Sequence, residues 1–294
     1  MHTELVTVGF IGQGFIGKNY ADDFERRGFS VVRYALEEPY RGNREKIQDC
    51  DIVFIAVPTP TTPDGFDDSI VRGAIALVGE GKVAVVKSTI VPGSTKSFQA
   101  EHPGRIVLYS PEFLSEATAA HDAAHPFSNI VGMPVNDEAH RLAAAAVHKI
   151  LPAAPFSLTC DSTEAELIKY AHNVSGYTQV ITFNVVYELA RELGVPWDAV
   201  GKAISADPLI SNRYANPVHK SGRGAGGHCF IKDLAAFARL YESRVPDALG
   251  LAFLKAAEQK NIALLTESGK DTDLLRGVYG EWVAILGEAA TIAV

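Results

Sequence analysis

Leu5–Gly17 reads LVTVGFIGQGFIG. The β-rich run Leu5–Ile11 passes directly into Gly12-Gln13-Gly14-Phe15-Ile16-Gly17. A helical pattern follows through Asn19–Arg27, Gly28 ends it, and Ser30–Tyr34 (SVVRY) is a second apolar run. Strand, glycine turn, helix, strand is the context in which a GxGxxG pattern has a mechanism. Gly12 permits the tight turn, Gly14 lets backbone approach a pyrophosphate, and Gly17 allows close helix–sheet packing. The helix start, with Phe15 and Ile16 in its first turn, offers N–H donors and partial positive charge to phosphates. A dinucleotide site is expected here. The alternative is a tight βα turn that binds nothing.

The same alternation continues outward. Asp51–Val57 (DIVFIAV), Val83–Lys87 (VAVVK), Arg105–Tyr109 (RIVLY) and Asn129–Met133 (NIVGM) read as further buried strands. Helical patterns occupy Ser69–Val78, Ser94–Gln99 and Asn136–Ile150 between them. Continuous apolar strands alternating with helices indicate a parallel sheet covered on both faces. Pro152 and Pro155 then punctuate the chain, and a helical pattern runs from Ser162 to about Leu193, stopped by Gly194 and Pro196. At helical rise it is roughly 45 Å long, which suits a spine between domains or a dimer contact. Trp197–Ala206, Leu234–Tyr241 and Asp247–Thr266 are helical as well. The expected fold is α/β: a Rossmann-type parallel sheet over residues 1–155, then an all-α domain over 156–294 built on the long helix. The apolar tail Trp282–Val294 is expected to pack as a helix or against a partner.

Composition narrows the function classes. The 294 residues are 47% hydrophobic and 21% charged, with a formal net charge of −8. That balance fits a globular protein with a sizeable core and argues against a general nucleic-acid binder. No leader pattern and no run of membrane-span length is present, so neither membrane insertion nor export is expected. Cys50, Cys160 and Cys229 are far apart and odd in number. This is the pattern of a reducing compartment, the cytoplasm, and not of a disulfide framework. His121 and His125 lie four apart, but Pro126 follows and the HExxH glutamate is missing, so no metal site is expected.

Two features carry chemistry. An acidic residue usually closes the second strand of a dinucleotide fold and takes the ribose hydroxyls. That position is Ala35 here, with Glu37 and Glu38 just beyond and Arg33 and Arg41 nearby. NAD is preferred, because two carboxylates repel a 2′-phosphate, and the arginines leave NADP open. The second feature is Ser221–Asp233, SGRGAGGHCFIKD. Glycines let backbone come close to a ligand. The segment reads as a nucleophilic cysteine, Cys229, in a backbone cradle with Lys232 and Asp233 close by. A flexible glycine loop beside a structural cysteine is the other reading.

Six spaced motifs then bring in a resemblance. They are GQGFIG at the first turn, VPTP (Val57–Pro60), KSTIVPGST (Lys87–Thr95), SPEFLSEA (Ser110–Ala117), Lys169-Tyr170-Ala171-His172-Asn173, and SGRGAGGHCFIKD. Together they cover residues 5 to about 265, and the chain resembles the UDP-glucose/GDP-mannose 6-dehydrogenase family. The resemblance implies oxidation of a CH₂OH group on a nucleotide sugar to a carboxylate, with two NAD reduced. It implies Cys229 as the nucleophile that captures the aldehyde and Asp233 as base. It implies Lys169 and Asn173 as stabilisers of developing oxyanions, and Glu112 as a proton-transfer aid. Thr89 matches the family's threonine near nicotinamide and water. Thr59, Glu116 and Lys232 match positions that touch the dinucleotide. Phe113, Leu114 and Ser115, with Val218–Gly222 and Gly226, match stretches lining the sugar and phosphates, and Lys220 is a candidate phosphate partner. A homodimer through residues 162–193 is expected.

The departures are as informative. The family's further nucleotide-gripping domain is expected where Ala256–Thr266 leads, and the sequence stops at Val294. The link from the second strand to Asp51 is short. Leu209 stands where the family has an arginine, with Arg213 nearby, and Ser110 stands for the asparagine of NPEFL. A dehydrogenase of a smaller sugar or sugar phosphate, or a dinucleotide-binding module without turnover, therefore remains open. A β-hydroxyacid dehydrogenase shares the fold and the helical lysine but would not use the cysteine.

Overall fold

Val8 and Phe10 have no exposed surface, and their strand β1 (Thr7–Ile11) is covered along nearly its whole length. Strands buried on both faces need helices above and below, and the chain supplies them in alternation. The structure is a computed structural model and describes residues 6–281. The tail from Trp282 lies outside the described residues. The chain divides into two units, one of residues up to Thr59 with Asp67–Lys169, the other of Pro60–Phe66 with the residues from Tyr170 onward.

In the first unit, β1 is followed by α1 (Phe15–Arg26), β2 (Ser30–Tyr34), β3 (Ile52–Ile55), α2 (Ser69–Ile75), β4 (Val83–Val86), α3 (Ser94–Glu101) and β5 (Ile106–Tyr109). Then come α4 (Ala119–Ala124), β6 (Ser128–Met133), α5 (Glu138–Ile150) and β7 (Phe156–Asp161). The strands form one seven-stranded sheet in the order β2-β1-β3-β4-β5-β6-β7. The first five are parallel, as expected from the sequence, but β6 pairs β5 in the antiparallel sense and β7 runs parallel to β6. The sheet is therefore mostly parallel, with a reversed pair at one edge. Its core stacks Phe10 on Phe54 at 5.2 Å between ring centroids, with Phe24 of α1 edge-on to Phe10 at 5.3 Å.

Strand β7 is not anticipated by the sequence reading. Phe156–Asp161 lies at the sheet edge with Phe156 exposed, so it lacks the apolar run that marked the other strands. Strand β7 belongs to this sheet, and the compact units divide between Lys169 and Tyr170. The short link before Asp51 forms a 3₁₀ helix, Arg41–Asp49.

The helix α6 (Ser162–Glu192) contains the divide. The second unit continues with α7 (Trp197–Ala206), α8 (Gly227–Arg244), α9 (Ala248–Ser268) and α10 (Thr272–Tyr279). Tyr177 and Ile181 of α6 pack with Leu234 of α8 and Leu254 and Leu264 of α9. Ile231, Ile262, Leu265, Leu275 and Val278 form a further cluster among α8, α9 and α10. Two short hairpins, Thr61–Thr62 with Gly65–Phe66 and Val218–His219 with Gly222–Arg223, complete it. The first is held by Arg239 of α8, which donates to the Thr62 carbonyl at 2.6 Å. No helix among the described residues is long and apolar enough to cross a membrane.

The start of α3 is capped from a distance. Gly93 N–H and Thr95 N–H donate to the two oxygens of Glu166, and Thr95 Oγ1 donates to Glu166 as well. Glu166 is fully buried, and burial pushes its carboxyl up against these lowering hydrogen bonds. A carboxylate at a helix N-terminus satisfies donors that the helix cannot pair itself. Glu166→Ala orphans both N–H groups and is expected to destabilise the protein by about 2–4 kcal/mol, read from urea unfolding. A change within experimental error would remove this cap from the account.

Candidate active site

The glycine turn is built as the sequence reading requires. Gly12 has φ +89°, and a Cβ there would lie 2.2 Å from the Ala56 carbonyl oxygen. A Cβ on Gly17 would lie 1.9 Å from the Gly12 carbonyl oxygen. Both positions exclude any side chain. Gly14 differs, because a Cβ there would meet nothing within 4 Å. Open space above Gly14, at the start of α1, is where a pyrophosphate can approach the free N–H groups. The residues present therefore fit a dinucleotide. Thr59 and Thr89 are buried together, with Thr59 Oγ1 donating to the Thr89 carbonyl at 2.8 Å.

Arg33 is committed elsewhere. Its guanidinium meets Asp22 at 2.7 Å and Glu25 at 2.7 Å, both on α1. Ala35 is buried, while Glu37, Glu38 and Arg41 are exposed.

The first unit also buries an ion pair. Lys169 Nζ donates to Glu112 Oε1 at 2.9 Å and to the Glu112 carbonyl at 2.7 Å. Each side chain is 4% exposed. Leu114 N–H donates to Glu112 Oε2 at 2.7 Å, and Lys169 sits over the Phe113 ring at 5.4 Å. Burial pushes the Glu112 carboxyl up, but the charge and hydrogen bond of Lys169, the Leu114 N–H and the charge of Lys87 hold it below its ordinary range. Ser115 N–H donates to Asp122, and Glu116 is exposed.

In the second unit the cysteine does not sit in a loop. Helix α8 starts at Gly227, so Cys229 lies in its first turn, exposed, where the helix N-terminus favours negative charge. Asp233, one turn further on, is 1% exposed. Asn173 Nδ2 donates to Asp233 Oδ2 at 2.6 Å and Lys232 Nζ to Asp233 Oδ1 at 2.6 Å. Cys50 and Cys160 contrast with Cys229: burial pushes both thiols up to about 11, with neighbouring carboxylates adding to it. The three cysteines form no disulfide with one another.

The cradle glycines face protein. A Cβ on Gly226 would lie 2.0 Å from Asp271 Oδ2, and one on Gly222 would lie 2.5 Å from Ser268 Cβ. Asn261 clasps the Ala225 peptide from both sides, accepting from its N–H at 2.6 Å and donating to its carbonyl at 3.0 Å. Lys270 Nζ donates to the Gly224 carbonyl at 2.9 Å, and Gly227 N–H donates to Asp271 at 2.7 Å. The run of small residues thus lets the segment lie against the end of α9 and the start of α10.

The sequence-derived residues are accordingly brought together in groups. Gly12, Gly14, Phe15, Ile16 and Gly17 form the turn. Glu112, Phe113, Leu114 and Lys169 form the buried pair and its frame. Asn173, Lys232 and Asp233 form a polar cluster near Cys229 on α8. Lys232, expected from the resemblance against the dinucleotide, is here an ion-pair partner of Asp233. Lys220 is exposed at φ +55°, Leu209 is 93% exposed and Arg213 is exposed. Asn261, Lys270 and Asp271 were missed. Asn261 follows Glu258-Gln259-Lys260 and so reads as part of a polar helix turn, with no sequence signal that marks it.

Comparison with known proteins matches the chain in two stretches. Residues 40–151 match the profile of the UDP-glucose/GDP-mannose dehydrogenase family, NAD binding domain, and residues 163–262 match that family's central domain. The chain is 28% identical to UDP-glucose 6-dehydrogenase AglM of Haloferax volcanii, covering 96% of this chain and 75% of that protein. It is 31% identical to a UDP-glucose 6-dehydrogenase of Rickettsia conorii over 90% of this chain and 61% of that protein. A solved UDP-glucose dehydrogenase from Pyrobaculum islandicum superposes with a TM-score of 0.74 at 29% identity, covering 90% of this chain and 72% of that one.

Two outcomes are expected at these groups. Lys169→Met leaves a buried carboxylate without its cation and should remove about 3–5 kcal/mol of stability. Glu112 has a lowered pKa in the folded state, so its contribution is present above the unfolded value and lost as pH falls through the folded one. Acid unfolding of Lys169→Met should begin at higher pH than in the parent, and coincident acid limbs would contradict this. Separately, Gly226→Ala should lower the melting temperature, and Asp271→Ala in the same chain should relieve part of the loss. Full additivity of the two changes would show that the clash is not with Asp271.

Proposed function

The chain belongs to the UDP-glucose/GDP-mannose dehydrogenase family, and from that premise we propose that it oxidises the CH₂OH carbon of a UDP-glucose-like nucleotide sugar to a carboxylate with NAD. The balance is one alcohol, two NAD⁺ and one water giving one carboxylate, two NADH and three protons. The observation that carries the proposal is Cys229, exposed in the first turn of α8, with Asp233 one turn on and held by Asn173 and Lys232.

NAD supplies a hydride acceptor when bound, and the Gly12–Gly17 turn with the start of α1 would hold its pyrophosphate. The chain's own residues carry the remaining steps. Lys169 and Asn173, four residues apart on α6, take the roles of cation and amide donor to oxygen that gains negative charge. The Cys229 thiolate adds to the aldehyde carbon, forming a thiohemiacetal that can lose the second hydride. The resulting thioester is hydrolysed by water whose proton is taken by a carboxylate, with Asp233 as base and Glu112 assisting. Sulfur suits both steps because it attacks readily and leaves readily. By the family resemblance Thr89 and Thr59 are assigned to the dinucleotide, Phe113, Leu114 and Ser115 to the sugar and Lys220 to a phosphate, while Gly222 and Gly226 serve by letting the cradle pack against Ser268 and Asp271.

NAD is favoured over NADP because the Arg33 guanidinium is occupied by Asp22 and Glu25. A homodimer through α6 is supported by its exposed apolar residues Val185, Val186 and Leu189.

The test is a screen of UDP- and GDP-sugars with NAD and NADP, following reduced nicotinamide and acid product. Two reduced cofactors per sugar are expected. One per sugar would replace the proposal with simple alcohol oxidation. Cys229→Ser is expected to abolish acid formation, and unchanged acid output would overturn the thioester route. Leu189→Glu is expected to shift the sedimenting species from dimer to monomer. An unchanged species would move the dimer contact off this face.

A further inference from the structure

Lys87 follows β4, at the carboxyl end of the parallel strands, where ligand crevices of such sheets lie. Its neighbours tie that end together. Lys87 N–H donates to the Ile55 carbonyl at 2.8 Å, and Ser88 Oγ bonds both the N–H and the carbonyl of Val57. The Lys87 side chain is 2% exposed, an unusual place for an ammonium group. Its Nζ donates to the Ser110 carbonyl at 3.1 Å and to Ser110 Oγ at 3.3 Å. The same Nζ lies 4.4 Å from the Tyr20 ring centroid and 5.8 Å from that of Phe54. Among the described residues no carboxylate comes within ion-pairing distance of it.

Ser110 is gripped twice, by Lys87 and by its own N–H on the Val86 carbonyl at 2.9 Å. Pro111 follows, then Glu112. The Lys87 contact therefore fixes the root of the segment that carries Glu112. The groups facing Lys87 are Tyr20 from α1, Glu112 from the segment after β5, and Lys169 from α6. Asp23 and Asp122 act on Tyr20 behind it, whose hydroxyl burial pushes far up. The order of charge is positive, negative, positive: Lys87, Glu112, Lys169.

A buried lysine with only a carbonyl and a hydroxyl as partners destabilises a fold relative to an apolar residue of the same size. Such positions concentrate at functional sites. The geometry points to Lys87 as a positioning residue that sets the place and the charge of the Glu112–Lys169 pair, holding Glu112 ionised through its ammonium and its grip on Ser110. Its bearing on turnover rests on the proposed dehydrogenase reading.

Burial, with Lys169 adding and Glu112 opposing, pushes the Lys87 ammonium down to about 7 from the ordinary 10.5. The sign follows directly. Between those values the unfolded chain holds the proton and the folded one does not, so stability rises with pH across the window. Toward lower pH the charge returns beside Glu112.

The experiment compares the full chain with Lys87→Met and Lys87→Gln, the latter keeping a donor for Ser110. Unfolding free energy is measured by denaturant from about pH 4 to about pH 10. The parent is expected to gain stability relative to both variants as pH rises above 7. Below about pH 7 the variants are spared the cost of the buried ammonium, so the parent's gain over them should vanish there. In turnover, kcat should fall about ten- to a hundred-fold with KM nearly unchanged, and its acid limb should move to higher pH. Lys87→Arg, which keeps the charge, should restore that limb. A constant stability offset at all pH values, with an unmoved acid limb, would overturn the inference and leave Lys87 a packing residue. Absence of turnover in the parent would count against the dehydrogenase reading, while the unfolding comparison still decides this one. If Lys87→Met does not fold, Lys87→Gln decides by the same curves.

Discussion

The buried ion pair between Lys169 and Glu112 ties the segment after β5 to the first turns of α6. Taking two charges out of water is unfavourable, and their attraction offsets this only if every remaining donor and acceptor is satisfied. Here the ammonium takes both a carboxylate oxygen and the carbonyl of the same residue, and the second carboxylate oxygen takes Leu114 N–H. That arrangement dictates the path of the segment after β5 and the rotation of the first turns of α6. A hydrophobic pair would hold these elements at least as well. The pair is thus better explained by the chemistry proposed for it than by stability.

The two glycine segments obey opposite logics. At the first turn, Gly12 and Gly17 are closed by protein and Gly14 is open, so the open position marks the ligand side. In the cradle before Cys229, Gly222 and Gly226 are closed by Ser268 and Asp271. Their smallness serves packing, and the packing sets where α8 begins. Asn261, Lys270 and Asp271 hold the three consecutive peptide groups between Gly224 and Gly227. The cysteine is placed by what lies behind the loop as much as by the loop.

Much of this was legible in order along the chain. Continuous apolar runs marked β1, β3, β4 and β5 because those strands are buried on both faces. The glycine spacing located the turn, and α6 and α7 were bounded by Ser162, Pro196 and their periodicity. What was hidden is what periodicity cannot carry. The edge strand β7 exposes Phe156 and Ser157 and so lacks a buried run. The reversal at β6 depends on the path from Tyr109 to Ser128, which has no local signature. The start of α8 was masked by Gly226 and Gly227, which read as loop although they cap and open a helix. The packing behind the cradle joins residues some forty apart, and only the fold brings them into register.

Cofactor choice shows how a local pair decides a distant question. Arg33 and Arg41 near Ala35 read from the sequence as two cations beside a missing acid. In the fold the Arg33 side chain is 10% exposed and forked between Asp22 and Glu25, which leaves its donors engaged. A bidentate guanidinium–carboxylate contact is geometrically specific, and redirecting it to a 2′-phosphate would strand two carboxylates beside an anion. Glu37 and Glu38 add negative charge just beyond Ala35. The electrostatics on this side of the turn disfavour a phosphate and suit ribose hydroxyls, so the absence of an acidic residue at Ala35 does not by itself turn the site toward NADP.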